Sequence, residues 1–228
     1  MIHTIDELVS AMVAAPVLNK REFVRAHVEG KDVLDLGCVA HSLERCIAGR
    51  DRWLHHTITT SARSVIGVDI LGSEIATLSK MGYNMICADA LALRLDRTFD
   101  AIICGDLIEH VTNPGALLET MRSHMNDGGS GLITTPNPFG VSRFFNILAD
   151  GWLAINREHT FWLCPQTMLQ LLERSSLELE SFAWLITDFP MPTFHRLWGK
   201  LLNPAAKLIA AARPVFRNDY GIIVRKKR

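Results

Sequence analysis

Val33-Leu34-Asp35-Leu36-Gly37-Cys38, followed by Val65-Ile66-Gly67-Val68-Asp69-Ile70, decides the fold. Both are short apolar runs that carry an acidic residue into a turn, as buried parallel strands do. The step at Leu36-Gly37 predicts a tight turn from strand to helix, with backbone N–H groups and a helix N-terminus facing a ligand. Asp69 ends the second strand, where a carboxylate can accept two hydrogen bonds from a ribose diol. Together the two strands describe a nucleoside-binding crevice at the carboxyl edge of a parallel sheet.

Two further segments narrow the reading. Asn84-Met85-Ile86-Cys87-Ala88-Asp89-Ala90 is a short strand that reaches another acid 20 positions after Asp69. Phe99-Asp100-Ala101-Ile102-Ile103-Cys104 is a fourth strand, and Gly105-Asp106-Leu107-Ile108-Glu109-His110-Val111 opens the loop and helix after it. In this order the chain resembles the class I S-adenosylmethionine-dependent methyltransferases, above all the branch of ubiquinone-biosynthesis and related small-molecule O- and C-methyltransferases. That branch carries Glu-His-Val or Glu-His-Leu after its fourth strand. The resemblance runs from Asp32 to Phe182.

The resemblance implies a doubly wound α/β fold: a seven-stranded Rossmann-like methyltransferase sheet whose last strand is antiparallel, with an N-terminal helical cap over the cofactor. It implies S-adenosyl-L-methionine as cofactor. Gly37 and Cys38 would meet its methionine end, with Asp35 orienting the loop. Asp69 would bind the ribose, with Ile70 beside the adenine, and Asp89 and Ala90 would bond the adenine edge. Gly105 and Asp106 would line the pocket next to the sulfonium. Simple capping of the following segment is the alternative role for Asp35 and Asp89.

One departure stands out. The family's loop reads Asp-x-Gly-x-Gly-x-Gly, whereas this chain has Asp35-Leu36-Gly37-Cys38-Val39-Ala40-His41 and keeps only the first glycine. A β-branched Val39 would be strained at a positive φ. The loss also argues against a nicotinamide enzyme, which relies on G-x-G-x-x-G around a pyrophosphate.

With 228 residues, 48% of them apolar, the chain can bury the core of one α/β domain. The 24 basic and 24 acidic residues cancel, so no global field draws it to nucleic acid. Five cysteines, Cys38, Cys46, Cys87, Cys104 and Cys164, form no C-x-x-C pair. They predict a reducing, cytoplasmic setting without disulfides or zinc. No basic-then-apolar leader opens the sequence and no apolar run is long enough to span a bilayer. The expectation is a cytoplasmic protein, either soluble or held at the inner face of the membrane.

The organisation is that of one methyltransferase domain: a helical cap over 1–30, a cofactor-binding core over 31–188, a basic amphipathic insertion over 189–218, and a last strand with a basic tail over 219–228. Thr4 reads as an N-cap, and Pro16 interrupts the cap helix. The 34 residues from Asp35 to Asp69 exceed the family's usual spacing, and Trp53-Leu54-His55-His56 predicts an extra helix there. His55-His56 reads as surface or helix packing. Asn126-Asp127-Gly128-Gly129 predicts a turn. Between Phe189 and Asn218 there is no acid, but Arg196, Lys200, Lys207, Arg213 and Arg217 interleave with Phe194, Leu197, Trp198, Leu201, Leu202, Leu208, Ile209 and Phe216. Two readings stand: an interfacial helix touching anionic lipid or a lipid-linked substrate, or an insertion that packs on the domain or pairs two subunits as a homodimer.

Methyl transfer from a sulfonium is an in-line displacement, so the protein must mainly align acceptor, methyl and sulfur. A hydroxyl acceptor also needs a base. His110 and His159 are the catalytic candidates, both predicted on loops over the carboxyl ends of the strands, with Trp152, Phe161 and Trp162 as candidate walls. No recognisable metal-ligand set is present. The leading reading is methyl transfer to a hydroxyl of a small molecule, a sugar or lipid-linked glycan among the candidates. The eroded loop and basic insertion also suit a non-catalytic, membrane-peripheral subunit that stabilises a partner enzyme.

Overall fold

The structure is a computed structural model that describes residues 1–151, 156–186 and 197–227. Thr4 caps helix α1 (Ile5–Ala14) through a capping box with Glu7. Past Pro16 the chain does not resume a helix at once. Val17–Asn19 forms a short strand, β1. The Asn19 side chain then accepts from the N–H groups of Arg21 and Glu22 and starts α2 (Lys20–Val28).

The four strands that defined the fold are all present: β2 (Asp32–Leu36), β3 (Ser64–Asp69), β4 (Met85–Cys87) and β5 (Phe99–Gly105). Between β2 and β3 lie α3 (Leu43–Ala48) and the extra helix, α4 (Leu54–Ser61). Helix α5 (Gly72–Lys80) leads to β4, and α6 (Pro114–His124) leads to β6 (Met125–Pro136). The predicted turn at 126–129 is a bulge inside β6, because pairing with β5 jumps from Phe99↔Met125 to Ala101↔Ser130. Then follow α7 (Val141–Asp150), α8 (Pro165–Glu173), β7 (Leu177–Ile186), α9 (Leu197–Ala212) and β8 (Asp219–Lys226). Trp152, Phe194 and Arg196 lie outside the described residues.

The strand order is β1-β7-β8-β6-β5-β2-β3-β4. Among the described strands only β8 runs antiparallel, against β6 and β7. The sheet therefore has eight strands rather than seven: β1 adds a parallel edge strand to β7, pairing Val17 with Trp184 and Asn19 with Ile186. Successive side chains of the inner strands feed opposite layers. Leu34, Leu36, Ile102 and Cys104 join the large cluster with Leu117, Met121 and Met168, while Val33, Ala101 and Ile103 meet Val24, Val28 and Ile58 on the other face. Burial on both faces is why these strands read as unbroken apolar runs.

Candidate functional site

A cavity of ≈ 450 Å³ opens at the carboxyl ends of β2, β3 and β5. Asp35, Gly37, Cys38, Asp69, Ile70, Gly105, Asp106 and His110 line it, so most of the predicted site converges there. Asp89, Ala90 and His159 are not part of its wall. Asp89 sits two residues past the β3–β4 pairing, just after Ala88, whose N–H donates to the Asp69 carbonyl. Its exposed carboxylate accepts from the Leu91 N–H at 2.8 Å, the capping role.

The glycine-poor loop is unstrained at Val39. Positive φ falls on Gly37 (75°) and on His41 (61°), and Val39 is not among the left-handed residues. A Cβ on Gly37 would also press on the Leu107 side chain at 3.0 Å. The loop's N–H groups are turned inward rather than toward a ligand, against the sequence expectation. Gly37 and Cys38 donate to the Val68 carbonyl at 2.8 and 3.2 Å, and Val39 donates to Asp69 Oδ2 at 2.9 Å. Ala40 donates to Cys46 Sγ. Asp69 is thereby fixed from both sides, since its Oδ1 accepts from the Leu71 N–H. Each oxygen keeps a second lone pair.

Asp35 is held by a residue that the sequence assigns only to the surface or to helix packing. His55, from the extra helix α4, is fully buried, and its Nδ1 lies 2.8 Å from Asp35 Oδ2. Burial pushes the Asp35 carboxyl above its usual range, against the bond to His55. His56 takes the helix-packing role expected for both, contacting the Tyr83 hydroxyl at 3.0 Å. Trp53 anchors the same loop, donating its indole N–H to the Cys38 carbonyl at 2.7 Å.

At the end of β5, Asp106 has a left-handed backbone (φ 51°) and accepts from Thr134 Oγ1 at 2.9 Å. Lys20, buried at the first position of α2, forms an ion pair with it. Burial alone would lower the Lys20 ammonium, but Asp106 beside it, with Asp219 and Glu109 further off, holds it above its usual value. Lys20 went unremarked in the sequence because β1, which positions it, was itself illegible.

Beyond Asp106, Glu109 is buried with Oε2 accepting from Thr135 at 3.0 Å and Oε1 without a partner. Burial, then the Asp106 charge, push its carboxyl up to about 8. Its carbonyl accepts from the N–H groups of Thr160 and Phe161 and so draws the His159 loop inward. The rings of His110 and His159 stand 4.6 Å apart, edge to face. Burial lowers the pKa of both; His41 adds to the effect at His110, and His110 and Arg143 add to it at His159. Both are therefore neutral near pH 7. The Trp162 indole donates to His159 Nδ1 at 3.3 Å, which leaves the ring proton on Nε2. Glu158, also unremarked in the sequence, lies 2.9 Å from His41 Nδ1 and 4.0 Å from His110 Nδ1. Ligand atoms of Glu109, His110 and His159 all lie within 4.8 Å of one another, a grouping of one carboxylate and two imidazoles that could hold a metal ion.

A sheet of this order, with acids ending β3 and β5 over one cavity, defines a Rossmann-like nucleoside-binding domain. A family model described as a methyltransferase domain matches residues 12–182, and the chain belongs to that family. The chain is 31% identical over 130 residues to a ubiquinone biosynthesis O-methyltransferase of Paraburkholderia xenovorans (strain LB400), covering 57% of this chain and 54% of that one. It is 29% identical over 140 residues to the protein of the same name from Paraburkholderia phytofirmans (strain DSM 17436 / LMG 22146 / PsJN), covering 61% and 59%. The match thus spans little more than half of each relative's length. A solved S-adenosylmethionine dependent methyltransferase from Mesorhizobium loti shares the fold, with a TM-score of 0.55 at 19% identity over 90% of this chain and 96% of that one.

Proposed function

We propose that the protein is an S-adenosylmethionine-dependent O-methyltransferase that acts on a hydroxyl of a small molecule, with sugars and lipid-linked glycans the first acceptors to try. One observation carries the reading: the carboxylates ending β3 and β5, Asp69 and Asp106, line the same cavity as the bare backbone of Gly37 and Gly105. The residues suit this cofactor better than a phosphate-bearing one. The loop's inward-turned N–H groups leave no anion cradle, whereas carbonyls can accept from an α-ammonium. Arg21 and Arg52 line the cavity and can meet a carboxylate. Asp69 would take the ribose diol, and Gly105 and Asp106 would border the sulfonium.

When bound, the cofactor supplies an electrophilic methyl group. The protein's part is alignment and removal of one proton. His110 lines the cavity and is neutral near pH 7, so it is the preferred base. His159 serves as a hydrogen-bond donor through Nε2–H, because Nδ1 is engaged by Trp162. The names of the relatives support oxygen as the acceptor atom.

Calorimetric titration with S-adenosylmethionine and S-adenosylhomocysteine tests the reading. Both should bind, and Asp69→Ala should weaken each by at least tenfold, about 1.4 kcal/mol. Failure of a folded wild-type protein to bind either ligand overturns it.

A further inference from the structure

Helices that face water are polar on the outside; the described exposed side chains of α7 and α9 are mostly apolar. On α7, Phe144 (58% exposed), Ile147 and Leu148 (64%) stand at i, i+3 and i+4, one outward stripe. On α9, the exposed positions Pro204, Lys207, Leu208 and Ala211 repeat at i, i+3, i+4 and i+7, and only one of them is polar. Leu208 is 72% exposed. The two helices pack on each other. The segments beside them are bolted together: the Asn137 amide donates to the carbonyls of Val215 and Arg217 at 2.9 and 2.8 Å, and Ser142 donates to Asn218 Oδ1 at 2.6 Å. These bonds tie the segment of exposed Phe139 to that of exposed Val215 and Phe216.

Among the described side chains of α7, α9 and the segments beside them, the exposed charges are basic. Residues 189–218 contain no Asp or Glu, and Lys207 and Arg213 are exposed. The face also has a fixed place in the fold. Pro136 pairs with Asp219 where β6 ends and β8 begins, so α7 and the residues after α9 meet the sheet at its carboxyl edge, the edge that carries the cavity.

We propose that this face docks on an anionic lipid bilayer, with the aromatic and leucine side chains entering the acyl boundary and the two basic groups meeting headgroup phosphates. A second copy of the chain is a poorer occupant. An isologous contact sets a patch against itself, and none of the described exposed side chains of α7 and α9 is an acid that could offset Lys207 and Arg213. Docking would turn the carboxyl edge toward the lipid, so that an acceptor dissolved in the bilayer reaches the site directly. The proposal does not rest on methyl transfer.

Sedimentation of the full chain with phosphatidylcholine vesicles, with and without phosphatidylglycerol, tests it. The protein should pellet with the anionic vesicles and be released by salt. Lys207→Gln and Arg213→Gln should each weaken binding about fivefold. Phe144→Glu and Leu208→Glu should abolish it, with the thermal midpoint unchanged because both side chains are exposed. Wild-type protein that stays in the supernatant with both vesicles overturns the proposal, as does undiminished binding by Leu208→Glu. A wild-type dimer that Leu208→Glu splits, without vesicle binding, assigns the face to a second copy instead and overturns it too.

Discussion

Val39 occupies a glycine position of the family loop without strain, because the left-handed turns are made by its neighbours Gly37 and His41. A loop that has lost two glycines thus keeps one at a left-handed position, fills the other left-handed position with His41, and needs none at Val39. Histidine is among the residues that tolerate the left-handed region better than most, and His41 is further tied to Glu158. Gly37→Ala should therefore cost about 1–2 kcal/mol of stability from φ alone, and its Cβ contact with Leu107 should cut cofactor affinity as well. Val39→Ala should lower the unfolding midpoint through lost packing yet leave S-adenosylhomocysteine affinity nearly unchanged. Calorimetry on the two variants separates these outcomes. The Asp35–His55 pair makes a second residue-scale prediction. His55→Leu would leave Asp35 buried and unpaired, a loss of about 3–5 kcal/mol, whereas a merely packing histidine replaced by leucine would cost little. Urea unfolding decides between them.

At the scale of elements, β1 explains how Lys20 comes to stand in the site. Three residues pair with the edge of β7, Asn19 caps α2, and the first helical residue falls beside Asp106. The partners of this ion pair are unequally buried: Lys20 is nearly enclosed, Asp106 only half so. Removing the carboxylate strands a buried ammonium, while removing the ammonium leaves a carboxylate that water can reach. Asp106→Asn should consequently destabilise more than Lys20→Met, and the double variant should recover part of the loss. A double-mutant cycle by chemical denaturation measures it. Little of this was legible in the sequence. Val17-Leu18-Asn19 is too short to show a period, and what makes it a strand is the free edge of β7, supplied from more than 160 residues away. By contrast β2, β3 and β5 were legible because burial on both faces writes itself as an apolar run ending in an acid. His55 was hidden for a similar reason: only the path of α4 brings it against Asp35.

For the whole molecule, two buried groups that titrate in opposite senses shape stability against pH. His27, beneath the sheet beside Ser130, is held neutral with its pKa at about 4, chiefly by burial and then by Lys31 and Arg225. The unfolded chain protonates His27 near 6.5 and the folded chain does not, so between about 4 and 6.5 this group adds stability as pH rises, at ~1.4 kcal/mol per unit. Glu109 runs the other way. Folded, it keeps its proton up to about 8, while the unfolded chain releases it near 4.3, so over that window it removes stability as pH rises at a similar slope. From about 4.5 to 6.5 the two slopes cancel; above 6.5 only that of Glu109 remains. Between pH 6.5 and 8 the wild type should lose about 1.5 kcal/mol that Glu109→Gln retains. His27→Gln should expose the Glu109 slope from pH 4.5 upward, giving a steady decline where the wild type is level. Urea titrations of the three proteins at pH 5, 6.5 and 8 check this, and parallel curves would show that neither group titrates as its burial requires.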